Sequence, residues 1–484
     1  MRRERLTACW QVFLCIIFAG CKVGPIYAPP EIDLPQGWHS PLSEGMSSSQ
    51  SDCIVWWESL HDPLLNALMQ RAAQENLDLF IAAGRILESR LSRKGKEGEL
   101  YPHIDGSATA GHLYLGKEAL FKTLFANDCK HSRKKKGNVF EMGFDAGWEV
   151  DLFGFNKHEI EAAEANIEAA EENLRDVWVT LSAEIARNYI ELRGLQQRKK
   201  LLLKNIEGQQ ESLHLTQELL KKGIADAIDV LQGEEQCILL MAQRPLLDLS
   251  IDKTLYRLST LLGCPFEELF AELTIPQELP SLPSEKPIGL PADLLRRRPD
   301  IRRAERHLAA ATESIGSAVS ALFPRFSLYG FIGEIGGSMR SLTNGRGATW
   351  FAAPQLLFPI FNSCLLRQHL EGNKIEARQA LFNYQKAVLT ALEEVESAMA
   401  AFLYDAERKD HLTQVQKIDR EASRLTFQLY QRGIKDYPAV LATHRSLLAA
   451  EEVSIQSQVD LLLDYVSLYK ALGGGWDLSQ FIPR

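Results

Sequence analysis

Apolar positions recur along this chain with two different periods. Leu381, Tyr384, Val388, Leu392, Val395, Met399 and Phe402 follow one another at spacings of 3, 4, 4, 3, 4 and 3. This heptad-like seam predicts a helix packed along one face. From about Asn362 to Asp405 the chain holds no proline, and Gly372 is the one inner break. Roughly 44 helical residues span on the order of 65 Å, longer than a compact domain. Such a helix belongs in a coiled coil or a tube wall.

Elsewhere the period is two. Phe140, Met142, Phe144, Ala146, Trp148 and Val150 are apolar, whereas Glu141, Gly143, Asp145, Gly147, Glu149 and Asp151 are polar or glycine. A strand at about 139–152 is predicted. Its length suits a membrane strand of about 9–11 residues, with one face to lipid and one to a wet lumen. Glu141, Asp145 and Glu149 are then candidate lumen residues. The alternative is an amphipathic strand of a soluble sheet. Weaker strand patterns cover about 103–115, 325–336 and 349–361. Four strands cannot close a lipid-facing barrel, so in a membrane the barrel must be shared between chains, and the strand number itself predicts an oligomer.

The chain is also written twice. Leu215 to Leu231 aligns with Leu425 to Leu441 at an offset of 210, with eight of seventeen positions identical, including Gly223/Gly433, Ile224/Ile434 and Asp226/Asp436. The same offset pairs Leu262-Gly263 with Leu472-Gly473. Upstream, an offset of 222 pairs Asp78 with Asp300, Pro102 with Pro324 and Gly111 with Gly333. A period this long means a duplicated domain, not a solenoid. Each copy reads helix, strand pair, long helix, short break, long helix. The breaks at Gly223 and Gly433 are the expected tips of two helical hairpins, where glycine ends one helix and Asp226 or Asp436 caps the next. Pro245 lies inside a helical pattern and should kink it.

The N-terminus reads as an address. Arg2, Arg3 and Arg5 precede the mostly apolar Leu6 to Phe18, then Ala19-Gly20-Cys21. This is a secretory signal over 1–20 whose cleavage leaves Cys21 first. It resembles a bacterial lipobox, in which the cysteine is lipidated; a plain signal peptide is the alternative. Lys22 in place of Asp favours the outer membrane, by analogy with bacterial lipoproteins. Residues 22–50 are rich in Pro and Ser and are expected to form an extended tether.

Composition narrows the classes. Charged residues make up 24% and apolar residues 45% of 484, and the net charge is −9, so this is neither a disordered chain nor one with a general affinity for nucleic acid. Mean hydropathy is −0.15, which excludes a multi-span helical membrane protein. The basic run Lys130 to Lys136 lacks interleaved aromatics and reads as a solvated loop. The cysteines form no CxxC and no zinc spacing. No catalytic motif such as GxSxG, HExxH or Walker A occurs, so no enzyme, no metal and no cofactor is expected.

Three stretches carry a family resemblance. Cys21-Lys22-Val23-Gly24-Pro25-Ile26-Tyr27 resembles the mature start of outer-membrane efflux lipoproteins. Trp56-Trp57, Asp62-Pro63-Leu64 and Asn76-Leu77-Asp78-Leu79 resemble the family's first helix. Gly289 to Leu308, built around Arg296-Arg297-Arg298-Pro299-Asp300-Ile301-Arg302-Arg303, is the most distinctive, followed by Ile315-Gly316 and Phe323-Pro324. Over about residues 21–475 the chain resembles the TolC/OprM (NodT-type) outer-membrane factor family.

That resemblance implies a fold that is mainly α with membrane β: a homotrimer whose chains each give four strands to a twelve-stranded outer-membrane barrel, continued by a periplasmic α-helical barrel. It implies an outer-membrane exit duct of a tripartite efflux system. The partners would be outer-membrane lipid, a periplasmic adaptor and an inner-membrane transporter of the proton-driven (RND) or ATP-driven (ABC) kind. The expected organisation is a signal at 1–20, a lipidated tether at 21–50, repeats at 51–263 and 285–475, an equatorial segment at 264–284 and a tail at 476–484. In the family, polar links between hairpins hold the closed channel, and the matching positions here are Asp229, Tyr430 and Lys435. The acidic aperture residues of the best-known member are replaced by Ala439 and Ala442, which leaves the ion preference open. The junction Asn362-Ser363-Cys364-Leu365-Leu366-Arg367 also departs from the family's Asp-Gly-Gly-Arg. Two other functions remain open: a type I protein-secretion channel and a lipid-anchored periplasmic coiled-coil scaffold.

Overall fold

A computed structural model describes residues 22–41, 46–47, 53–114, 136–223, 225–284, 286–345, 347–362 and 364–475. The signal, Cys21, the basic run 130–135 and the tail 476–484 lie outside the described residues. The principal elements are α1 (Pro63–Glu75), α2 (Leu77–Gly98), β1 (His103–Tyr114), β2 (Lys136–Val150), α3 (Phe155–Lys221), α4 (Ala227–Leu262), α5 (Phe266–Leu273), α6 (Pro299–Ser320), β3 (Arg325–Gly336), β4 (Ala348–Leu357), α7 (Leu365–Gln431) and α8 (Tyr437–Ala471). The expected order of each repeat is therefore present twice.

The seam helix is longer than its pattern suggested. α7 has 67 residues, as does α3, about 100 Å each. Of the seam residues, Tyr384, Val388, Val395, Met399 and Phe402 are buried. The polar stretch after Asp405 stays helical because its charges are used: Arg408 reaches Asp405 at 3.6 Å and Asp460 of α8 at 3.4 Å. α4 runs through Pro245 unbroken.

The chain divides into two compact units. Unit 1 comprises Met1–Pro30, Leu87–Glu168 and Glu305–Phe382. It contains one antiparallel sheet of order β1-β2-β3-β4. Pro354 falls in β4, which pairs on one side only among the described residues, the setting in which a strand tolerates proline. The helical part packs on small residues, Ala165 against Ala309 and Ala310, and Phe153 stacks on Phe323 at 4.8 Å.

Unit 2 comprises Glu31–Ile86, Ala169–Ala304 and Asn383–Arg484. Its core is aromatic. Trp56 stacks on Tyr469 at 5.9 Å and Trp57 meets Trp178 edge-on at 6.0 Å. The Asp62-Pro63 pair starts α1: Asp62 Oδ1 accepts from the Leu64 and Leu65 amides, and its other oxygen accepts from the Tyr189 hydroxyl at 2.6 Å. Met46–Ser47 pairs in parallel with Lys286–Pro287. The duplication extends to backbone angles. Gly223 and Gly433 have φ of +71° and +72°, and Gly263 and Gly473 both have +73°, the left-handed region that glycine enters without a side-chain penalty.

The segment after Cys21 is extended, but it is fastened rather than trailing. Tyr27 donates to Glu305. Further on, Trp38 donates to the Gly289 carbonyl and the amides of His39 and Ser40 donate to Glu396.

Candidate functional site

The register of the sheet decides which side chains share a face. Glu141, Gly143, Asp145 and Gly147 of β2 stand opposite Thr109, Ser107, Asp105 and His103 of β1, and with Glu149 they stand opposite Ile335, Gly333, Phe331, Tyr329 and Ser327 of β3. Directly paired residues point to the same side. This face is mainly polar. Ser107 Oγ donates to Asp145 at 2.5 Å, and Arg325 lies 3.9 Å from Glu149. The opposite face is apolar and uncovered: Phe144, Ile332 and Trp350 are 61%, 64% and 77% exposed. Among the described residues the outer strands β1 and β4 each pair on one side only, which leaves a row of ladder groups at each edge.

An aromatic patch on the polar face was not legible in the sequence. Phe331 is only 4% exposed and stacks on Phe351 at 6.1 Å. Its ring lies over two glycines, and a Cβ at Gly143 or Gly333 would meet it at 2.7 or 2.8 Å. Backbone crowds the same two positions, with Ile332 O 2.7 Å from a Cβ at Gly143 and Met142 O 2.4 Å from one at Gly333, so neither has room for a side chain.

The hairpin tips lie in unit 2. Gly223 ends the first ascending helix, and the Asp229 carboxylate accepts from the Asp226 amide at 3.2 Å, closing the first turn of α4. Asp436 occupies the equivalent place before α8 but its side chain makes no capping bond. The expected side-chain cap is absent there; Pro438, at the second helical position, removes one of the two amides that could serve it.

The three candidate gate residues are not joined by hydrogen bonds within the described residues of one chain. Tyr430 is buried with Tyr437, Val440 and Leu441, and its hydroxyl lies 3.4 Å from Thr216 Oγ1. Burial raises the Tyr430 phenol above its ordinary range, against the Thr216 hydrogen bond, and the nearby Asp229 charge adds to the rise. Lys435 is exposed, and no ion pair among the described residues includes it. Three further residues complete the cluster. Tyr437 packs 5.5 Å from Tyr430, Gln209 donates to the Tyr437 hydroxyl at 3.2 Å, and Gly233 lets that hydroxyl approach. The one sequence signal was position, since Thr216 and Tyr437 lie within the repeated tip motif.

Comparison with known proteins bears on the whole chain. The family model described as "Outer membrane efflux protein" matches residues 68–264 and 290–474, the two repeats. Nodulation protein T of Rhizobium leguminosarum bv. trifolii is 29% identical over 475 residues, covering 98% of each chain. The solvent efflux pump outer membrane protein SrpC of Pseudomonas putida is 29% identical over 483 residues, 97% of this chain and 98% of that one. Among solved structures, the outer-membrane channel OprN superposes with a TM-score of 0.84 at 33% identity, over 94% of this chain and all of that one. With both repeats matched by the family model, the chain belongs to the outer membrane efflux protein family.

Proposed function

We propose that this protein is the outer-membrane exit duct of a tripartite efflux system and works as a homotrimer. The observation that carries the reading is the four-stranded sheet: one exposed apolar face, one polar face, and two open edges. Three copies joined edge to edge give twelve strands, apolar outward to lipid and polar inward to water. Glu141, Asp145 and Glu149 then line the lumen. Long paired helices of the same chains form the tunnel wall. Transport needs no chemistry from the duct. An inner-membrane transporter, of the RND or ABC kind, supplies the drive, and a periplasmic adaptor joins the two. The cargo is small molecules. Cys21, once lipidated, anchors each chain to the outer membrane.

The resting duct is closed at its hairpin tips. Asp229 and Lys435, on different hairpins, attract one another across the aperture, and Tyr430 packs behind them. Exposed pairs of this kind contribute about 0–1 kcal/mol each, little enough for an adaptor to overcome.

Planar-bilayer conductance of the detergent-extracted protein tests both statements. Wild type should give small or flickering currents, and the Asp229→Ala/Lys435→Ala variant large and steady ones. Large steady currents in both would keep the duct and remove the gate. No current from either, given a folded trimer, would sink the duct.

A further inference from the structure

Lys22, Val23 and Gly24, the three residues after Cys21, lie in a socket between the start of α3 and the end of α6, all within unit 1. The walls come from Gly154, His158 and Glu161 on one side and Glu313, Gly316 and Ser320 on the other, spacings that place each trio on one helix face. The Val23 amide donates to the Phe153 carbonyl at 3.2 Å, and His158 Nε2 donates to the Val23 carbonyl at 2.9 Å. Lys22 Nζ donates to Glu313 at 3.2 Å and also to Glu161. Ser320 Oγ donates to the Phe153 carbonyl at 2.9 Å.

The fit is close because the contacts are made by glycines. Gly24 has φ +133°, and a Cβ there would meet the Gly316 Cα at 2.7 Å. A Cβ at Gly316 would strike the His158 ring at 2.1 Å, and one at Gly154 would meet Lys22 Cγ at 3.0 Å. His158 is fully buried, and its second nitrogen, Nδ1, lies 2.6 Å from Glu313. Glu313 is nearly buried beside it, whereas Lys22 and Glu161 keep part of their side chains in solvent. Burial works against the Lys22 ammonium, but the Glu161 and Glu313 carboxylates outweigh it and raise its pKa above the ordinary lysine value.

We propose that His158, Glu161 and Glu313 form a docking socket for the Lys22–Gly24 segment, with the Lys22 ammonium as the recognised group. The docking stands whether or not Cys21 is acylated, and it does not depend on the gate.

The rival occupant is a divalent cation, because His158, Glu161 and Glu313 each bring one ligand atom within 4.8 Å of the others. Trypsin distinguishes the two, since it cleaves after Lys22. In the folded full-length assembly in detergent, the Lys22–Val23 bond should resist cleavage, and in Lys22→Arg it should resist equally. In Glu161→Gln/Glu313→Gln, with the assembly intact by size, cleavage should be at least about tenfold faster, because the segment opens more often. Equal rates in wild type and the double variant would overturn the socket. Zinc that speeds wild-type cleavage would overturn the ammonium as the resident group. Should the double variant not assemble, hydrogen exchange of the 22–30 peptide in Lys22→Met decides the same question: lost protection supports docking, and unchanged protection overturns it. The mass of the released fragment reports acylation separately, so failure of the lipid reading is distinguishable from failure of the socket.

Discussion

Arg298 Nη1 donates a 2.7 Å hydrogen bond to the carbonyl of Ala471, the last residue of α8. The same guanidinium reaches both oxygens of Asp300 and the Glu394 carboxylate. It is buried, and Gly473, left-handed at φ +73°, lies against its stem because a Cβ there would meet the Arg298 Cα at 3.1 Å. The arginine-rich motif that looks like an active-site fingerprint is therefore a clasp holding the end of α8 to the start of α6. Arg298→Ala strips a buried helix end and two carboxylates of their donor, and should cost about 3–5 kcal/mol. Arg298→Lys should restore only part, since one ammonium cannot serve three acceptors in a fork geometry. Chemical denaturation of the three proteins checks the order.

Much of this was legible in the sequence, for reasons visible in the residues. The tip glycines and the cap glycines repeat because a left-handed backbone admits few other residues, so both repeats keep them. The β2 alternation survives because one face meets lipid and the other water. What the sequence hid depends on distant partners. The polar run after Asp405 carries no apolar seam of its own, and its partners on α8, Asp460 for Arg408 and Glu451 for Arg420, are distant in sequence. The Pro- and Ser-rich start looked like a free tether, since nothing local marks His158 or Glu313 as its partners. Phe331 read as an ordinary strand residue until the two glycines beneath it came together.

Asp464 should make stability fall as pH rises. Burial, with the Asp405 and Asp460 carboxylates facing it, pushes its pKa from 3.8 to about 7. The folded state therefore holds a proton that the unfolded chain releases above pH 3.8. Its contribution is fully present below the unfolded value and is lost as pH rises through the folded value. Asp464→Asn should flatten this slope between about pH 4 and 7 and raise Tm by a few degrees at pH 8. Thermal unfolding at several pH values reads both effects; an unchanged slope would sink the assignment.

Cys364 stands at φ +66° in the turn that opens α7, a conformation that costs an L residue about 1–2 kcal/mol. Cys364→Gly should relieve this and, after the added freedom of the unfolded chain, raise stability by about 0.5–1 kcal/mol. The thiol is exposed, whereas Cys237 and Cys264 are buried with their thiols pushed up by burial. A maleimide should therefore label Cys364 in the native protein well ahead of those two, as peptide mapping would show.

The tip cluster yields a prediction whose sign reverses with its background. Gly233 sits inside α4, where alanine alone would gain about 1 kcal/mol in helix propensity. A Cβ there, however, would meet the Tyr437 hydroxyl at 2.9 Å and Leu213 Cδ1 at 3.0 Å. That hydroxyl is held by Gln209, and Tyr437 is 1% exposed, so the ring has little room to withdraw. Gly233→Ala should therefore destabilise the wild-type protein and loosen the hairpin tips. Tyr437→Phe removes the oxygen that is struck, although it costs the Gln209 bond. In that background the contact relaxes to the ring carbon at 3.6 Å, ordinary van der Waals distance, and Leu213 can yield by a rotamer change. Gly233→Ala should then become neutral or stabilising. A thermodynamic cycle over the four proteins gives a coupling of about 1 kcal/mol or more if the two residues meet as described. Additive effects would mean that the glycine is there for another reason.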